Sequence, residues 1–254
     1  MCLSRLPRLY LDTPLASGAH LALSPEQHHY LTAVMRVGPG GGVRVFNGRD
    51  GEWQAQLSVG SARRGGLVVE TLLKPQREEP GPWLLFAAVK KAALDLIVQK
   101  ATELGAARIV PVITDHAVIE RVNPDRMRRT AIEAAEQCGR LSIPEIGTLG
   151  KLPDCLAVWP VTRPLLVACE RGPAGALADV LAGMAGQAPT GHGLLTGPEG
   201  GFSSTELDAF AKLTFVTPVN LGPRILRAET AAFSLLACYQ AWVGDWRVEP
   251  RADS

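Results

Sequence analysis

Leu194-Leu195-Thr196-Gly197-Pro198-Glu199-Gly200-Gly201-Phe202 runs an apolar strand pattern into a glycine-rich turn, and Ser203 with Glu206 then has the spacing of a capping box that opens a helix. Glycines in such a turn let the backbone approach a ligand and adopt positive φ, exposing amides and carbonyls at the carboxyl end of a strand. Open α/β sheets bind ligands at that end, although a tight turn of this kind also occurs with no ligand. Neither the dinucleotide pattern GxGxxG nor a phosphate loop ending in Gly-Lys-Ser/Thr is present, which disfavours nicotinamide and nucleoside-triphosphate chemistry.

Working outward, short apolar runs alternate with helical periods. Strands are predicted at Trp83 to Val89, Ile109 to Ile113, Leu165 to Cys169, Leu194 to Thr196 and Phe215 to Leu221. Leu94, Ile97, Val98, Ala101 and Leu104 share one helix face, with Gly105 placed to end it. This alternation predicts an α/β layer fold with a largely parallel sheet. Upstream, Val43, Val45, Trp53, Ala55, Leu57 and Val59 alternate around Asn47 to Gly51 as a hairpin would. One helix is predicted there too: Ser24 and Gln27 form a capping box, Pro25 takes the first helical position, and Leu31, Val34 and Met35 supply the apolar face. The first part is thus a small β-barrel with one helix. The proline- and charge-rich segment 75–82 reads as a linker, giving domains at 1–74 and 83–246 and a polar tail at 247–254.

The chain has 254 residues, 46% of them hydrophobic, which suffices for two cores. Its 26 basic and 25 acidic side chains nearly cancel, so attraction to a polyanion has to come from local clusters. The cysteines, five in all, are scattered without metal-site spacing or disulfide density, and the five histidines form no ligand pattern with them. No metal is expected. Arg5, Arg8 and Asp12 interrupt any signal peptide and no later stretch is long enough to span a bilayer, so a soluble cytoplasmic protein is expected.

A second constellation, Leu221-Gly222-Pro223-Arg224-Ile225-Leu226-Arg227-Ala228-Glu229-Thr230-Ala231, follows the glycine turn and leads from a strand end into a long helix. Arginine near a helix N-terminus opposes the macrodipole, so Arg227 suits an anionic or polar partner better than it suits the helix. Together, GPEGGF and LGPRILRAETAA resemble the cofactor-binding signature of the SPOUT superfamily of methyltransferases. Lys100 to Gly105, Ile109-Val110-Pro111, Glu133 to Arg140, Pro144, Pro7-Arg8-Leu9-Tyr10 and His29 to Arg36 extend the resemblance to nearly the whole chain, and to the RsmE family of 16S ribosomal RNA (uracil-N3) methyltransferases. Leu9-Tyr10 departs conservatively from a pair of larger aromatics.

The resemblance implies a SPOUT α/β trefoil-knot domain preceded by a small PUA-like β-barrel that binds RNA. It implies S-adenosylmethionine held by Leu195, Gly197, Glu199, Gly200, Leu221, Ile225, Leu226 and Thr230, a homodimer, and 16S ribosomal RNA or the 30S subunit as partner. A uridine ring nitrogen bears a proton at neutral pH, so a cation that favours the anionic base is needed. Arg227 is the first candidate and Arg140 the second. Glu199 fits a turn-stabilising role slightly better than contact with the cofactor's sulfonium, while Glu103 and Glu136 fit helix ion pairs. Arg8, Arg36 and Arg49 are the RNA-binding candidates. Alternatives are a non-catalytic RNA-binding or assembly factor, a SPOUT methyltransferase acting on another RNA, and a small-molecule enzyme using the turn as an anion site.

Overall fold

The structure, a computed structural model, describes residues 6–61, 64–117, 119–186 and 191–247. Beyond Arg247 the expected tail lies outside them. The described residues form two compact units: Leu6–Glu79 together with Ala135–Ile143 make the first, and Pro80–Ala134 with Pro144–Arg247 make the second.

In the first unit, β1 (Arg8–Tyr10), β2 (His20–Ala22), β3 (Gly42–Phe46), β4 (Glu52–Ser61) and β5 (Arg64–Lys74) form one mixed sheet in the order β1-β3-β4-β5-β2. The hairpin register places Val43 opposite Ala55 and Val45 opposite Trp53. Asn47 shapes the turn, its Oδ1 accepting from the amides of Arg49 and Asp50. Val43, Val45, Ala55, Leu57, Leu67 and Val69 point inward to the core by the period-2 rule. Helix α1 (Pro25–His29) has the complete Ser24–Gln27 capping box. It then widens into a π-helical turn, Tyr30–Val34, and the expected apolar face breaks up. Leu31 is fully buried, whereas Val34 and Met35 are exposed, because the wider turn carries them past the direction a 3.6-residue period assigns.

Arg8 and Glu52 hold this unit's interior. Their side chains, 4% and 2% exposed, form an ion pair, and Arg8 also donates to the carbonyls of Ala135 at 2.6 Å and Arg140 at 2.7 Å while lying over the Phe46 ring. The Tyr10 amide donates to Glu136. Glu79, expected in a linker, accepts from the amides of Leu141 and Ser142 and pairs with Arg140. These hydrogen bonds hold its carboxyl below the usual range against the opposing effect of burial. The stretch 135–143 thus stays with the first unit, an arrangement that one boundary at 75–82 did not anticipate.

The second unit is an eight-stranded, wholly parallel sheet. Its strands are β6 (Trp83–Ala87), β7 (Arg108–Ile113), β8 (Glu145–Ile146), β9 (Gly150–Lys151), β10 (Leu165–Ala168), β11 (Gly175–Ala176), β12 (Gly193–Thr196) and β13 (Val216–Asn220). Their order is β11-β13-β10-β12-β6-β7-β8, with β9 also on β7. Between them run α2 (Lys91–Glu103), α3 (Pro124–Cys138), α4 (Leu152–Ala157), α5 (Leu177–Met184), α6 (Ser204–Phe210) and α7 (Ala228–Trp242). Leu85, Val110, Val112, Val167 and Leu195 pack against Leu152 and Leu156 of α4 and Phe210 of α6. Leu84, Phe86, Ile109, Leu166 and Leu194 alternate with them and face the other way, where α7 lies on β6 and β12 and packs with α2. Gly105 ends α2 at φ +79°, a left-handed cap that favours glycine.

A buried polar pair crosses this unit: His192 Nδ1 lies 2.9 Å from the Tyr239 hydroxyl. Burial, then the Arg163 guanidinium, lowers the imidazole's pKa below its ordinary 6.5.

Two predictions follow from these buried groups. Arg8→Met leaves the Glu52 carboxylate with only the Arg44 guanidinium, 3.8 Å away, and should lower unfolding free energy by about 3–5 kcal/mol in urea titration. A loss under about 1 kcal/mol would refute the buried-pair account. For His192, the unfolded chain binds the proton that the folded chain resists, so stability falls as pH drops below 6.5, by at most about 1.4 kcal/mol per pH unit. Urea midpoints at about pH 8 and about pH 5.5 should therefore diverge less in His192→Asn than in the parent protein.

Candidate active site

The site follows from strand register. β10 lies between β12 and β13, with Ala168 opposite both Thr196 and Val219, so all three strands end at one level. Their following segments, Cys169-Glu170, Gly197–Phe202 and Leu221–Leu226, converge at the carboxyl edge of the sheet. They border an open cleft with about 150 Å³ of space for a ligand between its walls.

One wall is the glycine turn. Gly201 donates to the Pro198 carbonyl and takes φ +69°. A Cβ there would stand 2.7 Å from Glu170 Oε1, and one on Gly197 would stand 3.1 Å from the Phe202 ring. Gly201 thus favours glycine for its left-handed conformation, and Gly197 for its close approach to the Phe202 ring. Ser203 and Glu206 form the complete capping box that opens α6. The opposite wall is Asn220 to Leu226, backed by Ala228 and Ala231 of α7. Asn220 donates to the Ala174 carbonyl and accepts from the Gly222 amide, fixing the bend at Gly222, φ +99°.

Among the sequence-derived cofactor residues, Gly197, Leu221, Ile225 and Leu226 line the cleft. The remaining four do not. Leu195 is fully buried in the core beneath it, Glu199 and Gly200 are exposed, and Thr230 is exposed on the first turn of α7. Cys169, Glu170 and Asn220 are lining residues outside both motifs, and Phe202 closes the first motif without having been singled out. A strand was expected to end at Cys169, but its neighbour across the sheet was not legible from local pattern. Burial pushes the Cys169 thiol up to about 11, so it meets the cleft as a neutral thiol rather than a nucleophile.

The arginines separate by burial. Arg227 is the exposed N-cap residue of α7, between lining residues Leu226 and Ala228, and its side chain makes no cap hydrogen bond. Arg140 is 9% exposed, paired with Glu79 at 3.5 Å and donating to Ser142. Arg8, expected to contact RNA, is instead engaged with Glu52 and two carbonyls and has no surface to offer a phosphate. Arg36 is exposed and holds a left-handed φ of 55°, while Arg49 is exposed and 3.5 Å from Asp12. Among the described residues no group of three His, Cys, Asp or Glu side chains is placed to hold a metal, and no helix is long and apolar enough to cross a membrane.

The cleft's chemistry suits a nucleoside joined to an amino acid. Leu221, Ile225 and Leu226 offer an apolar surface for a flat base, and Ile225 is 84% exposed with no protein cover. Glu170 and Arg224 offer charges of both signs, and the buried Thr196 hydroxyl just below the turn lacks a protein partner.

A family model described as an RNA methyltransferase domain matches residues 77–240, and one described as an RNA methyltransferase PUA domain matches residues 23–64. The ribosomal RNA small subunit methyltransferase E of Rickettsia conorii is 33% identical over 91% of this chain and 93% of its own. A Legionella pneumophila methyltransferase solved in complex with the bound cofactor SAM superposes with a TM-score of 0.82 at 29% identity, covering 93% of this chain and 97% of that one. The Neisseria gonorrhoeae ribosomal RNA small subunit methyltransferase E bound to S-adenosyl methionine gives 0.82 at 26%, covering 95% and 99%. The second unit accordingly has the SPOUT trefoil-knot fold and the first is PUA-like. With a domain model spanning most of its length and a full-length relative at this identity, the chain belongs to the RNA methyltransferase family, among the ribosomal RNA small subunit methyltransferases E.

Proposed function

We propose that this protein transfers a methyl group from S-adenosylmethionine to ring nitrogen 3 of a specific uridine in 16S ribosomal RNA. The observation that carries the reading is the cleft at the joint carboxyl ends of β10, β12 and β13, with an apolar face, charges of both signs and Arg227 beside it. The same cofactor is named with the similar Legionella and Neisseria proteins.

When bound, S-adenosylmethionine supplies an electrophilic methyl carbon on a sulfonium. Leu221, Ile225 and Leu226 would hold the purine, and the backbone of the glycine turn and of Asn220 to Gly222 would meet the polar edges of the molecule. Alignment of donor and acceptor and exclusion of water do most of the work in a displacement of this kind. The remaining demand is the proton on the uracil nitrogen. Arg227 favours the deprotonated base by placing a guanidinium beside the charge that develops. Arg140, already satisfied by Glu79, is the weaker candidate for that task.

RNA contact is assigned to Arg36 and Arg49 of the PUA-like unit. The exposed Arg49–Asp12 pair is worth little in water and can yield to a phosphate. Trp242 and Trp246, 43% and 56% exposed, support a homodimer that covers them. The four described cysteines form no disulfide, in keeping with a cytoplasmic enzyme acting on the 30S subunit.

Small subunits lacking native base methylation, incubated with the protein and labelled S-adenosylmethionine, should gain one 3-methyluridine at one site. Cofactor binding without incorporation would point to another RNA, and absence of both to a non-catalytic RNA-binding factor. Arg227→Ala should lower the single-turnover rate by about 100-fold or more, with cofactor affinity changed little. Unchanged turnover would remove Arg227 from the chemistry.

A further inference from the structure

The glycine turn is fastened from outside the cleft. The loop after β7 runs along its outer side, and three contacts join them. His116 Nδ1 lies 3.2 Å from the Gly200 carbonyl oxygen and 3.1 Å from that of Gly201. The Ser203 hydroxyl donates to the Asp115 carboxylate. Glu206, 6% exposed, accepts from the Ser203 amide at 2.8 Å within its capping box and from the Asp115 amide at 3.0 Å with its other oxygen. One carboxylate thus ends a helix and ties down a loop that is 91 residues away in sequence.

Both partners of His116 Nδ1 are carbonyl oxygens, so that nitrogen carries the hydrogen and donates. The turn needs such a restraint. Its internal hydrogen bond is Gly201 to Pro198, while Gly197, Gly200 and Gly201 have more backbone freedom to lose than any other residue type. Gly197 and Gly201 face the cleft, whereas the carbonyls of Gly200 and Gly201 are taken by His116 on the far side. A restraint on the outer side therefore sets the shape of the inner wall.

We infer that His116 is a positioning residue of the methyltransferase site, its Nδ1–H holding the carbonyls of Gly200 and Gly201 so that the glycine turn is preorganised for the cofactor. It touches neither donor nor acceptor. The inference rests on the assignment of this cleft to S-adenosylmethionine, but the restraint on the turn can be measured without it. Asparagine places an amide N–H close to the position of Nδ1, and glutamine places one close to that of Nε2. The two substitutions therefore separate the hydrogen bond from mere bulk.

The experiment uses the full chain and two readouts. Amide hydrogen exchange is followed in peptides covering 197–203 without cofactor, and S-adenosylmethionine affinity is measured by calorimetry. His116→Ala should speed exchange in that segment and raise the dissociation constant about tenfold, with the melting temperature nearly unchanged because the side chain is exposed. His116→Asn should restore both properties and His116→Gln neither. Unchanged exchange in His116→Ala, or equal behaviour of the Asn and Gln variants, would overturn the inference. If the parent protein bound no S-adenosylmethionine, the cofactor assignment would fall, while exchange would still decide whether His116 holds the turn.

Discussion

The common level at which β10, β12 and β13 end is the constraint from which the site derives. Parallel strands in register bring their outgoing loops to one edge, and here the register sets Ala168 beside both Thr196 and Val219. A one-residue slip of β12 would turn Leu195 from the face covered by α4 and α6 to the opposite one and carry Gly197 away from the Phe202 ring. The register is fixed by apolar packing on both faces, so cleft and core are specified by the same residues. Leu195 illustrates this: it lies within the glycine-turn motif, yet its side chain belongs to the core beneath α4 and α6.

Features encoded by short-range rules were legible in the sequence. Both capping boxes, the Asn47 hairpin turn, the left-handed glycine after α2 and the start of α7 at Arg227 each depend on residues within a few positions of one another. The glycine turn and the loop following β13 were legible for the same reason. Features that depend on distant partners were not. Glu170 lines the cleft because β10 is inserted between strands that follow it in the chain, and the two-residue strands β8, β9 and β11 are too short to show a period. The π-helical turn after α1 redirected Val34 and Met35 in a way no fixed period describes.

Burial sorts the arginines more sharply than their sequence surroundings do. Arg8 lies in a motif shared with the resembled family, which invited an RNA-binding role, but its guanidinium is satisfied by Glu52 and by carbonyls 127 and 132 residues away. A buried ion pair with a full set of hydrogen bonds is expensive to break and has no capacity for a further ligand. Arg140 is in nearly the same position through Glu79 and Ser142. Arg227, Arg36 and Arg49 keep their charge at the surface, Arg49 beside the equally exposed Asp12 at 3.5 Å.

Close approach and fixed shape make opposed demands on the glycine turn. Gly201 holds a left-handed φ and Gly197 lies close against the Phe202 ring, and between the packed Pro198 and Phe202 the exposed Glu199-Gly200 leaves the middle of the segment with little of its own to pack. Its order therefore has to come from backbone contacts supplied by neighbours, and these come from Glu206 on one side and the loop carrying Asp115 and His116 on the other. The fold meets both demands by placing the ordering groups on β7's loop and on α6, so that the inner face presents glycine backbone beside the Pro198 and Phe202 side chains.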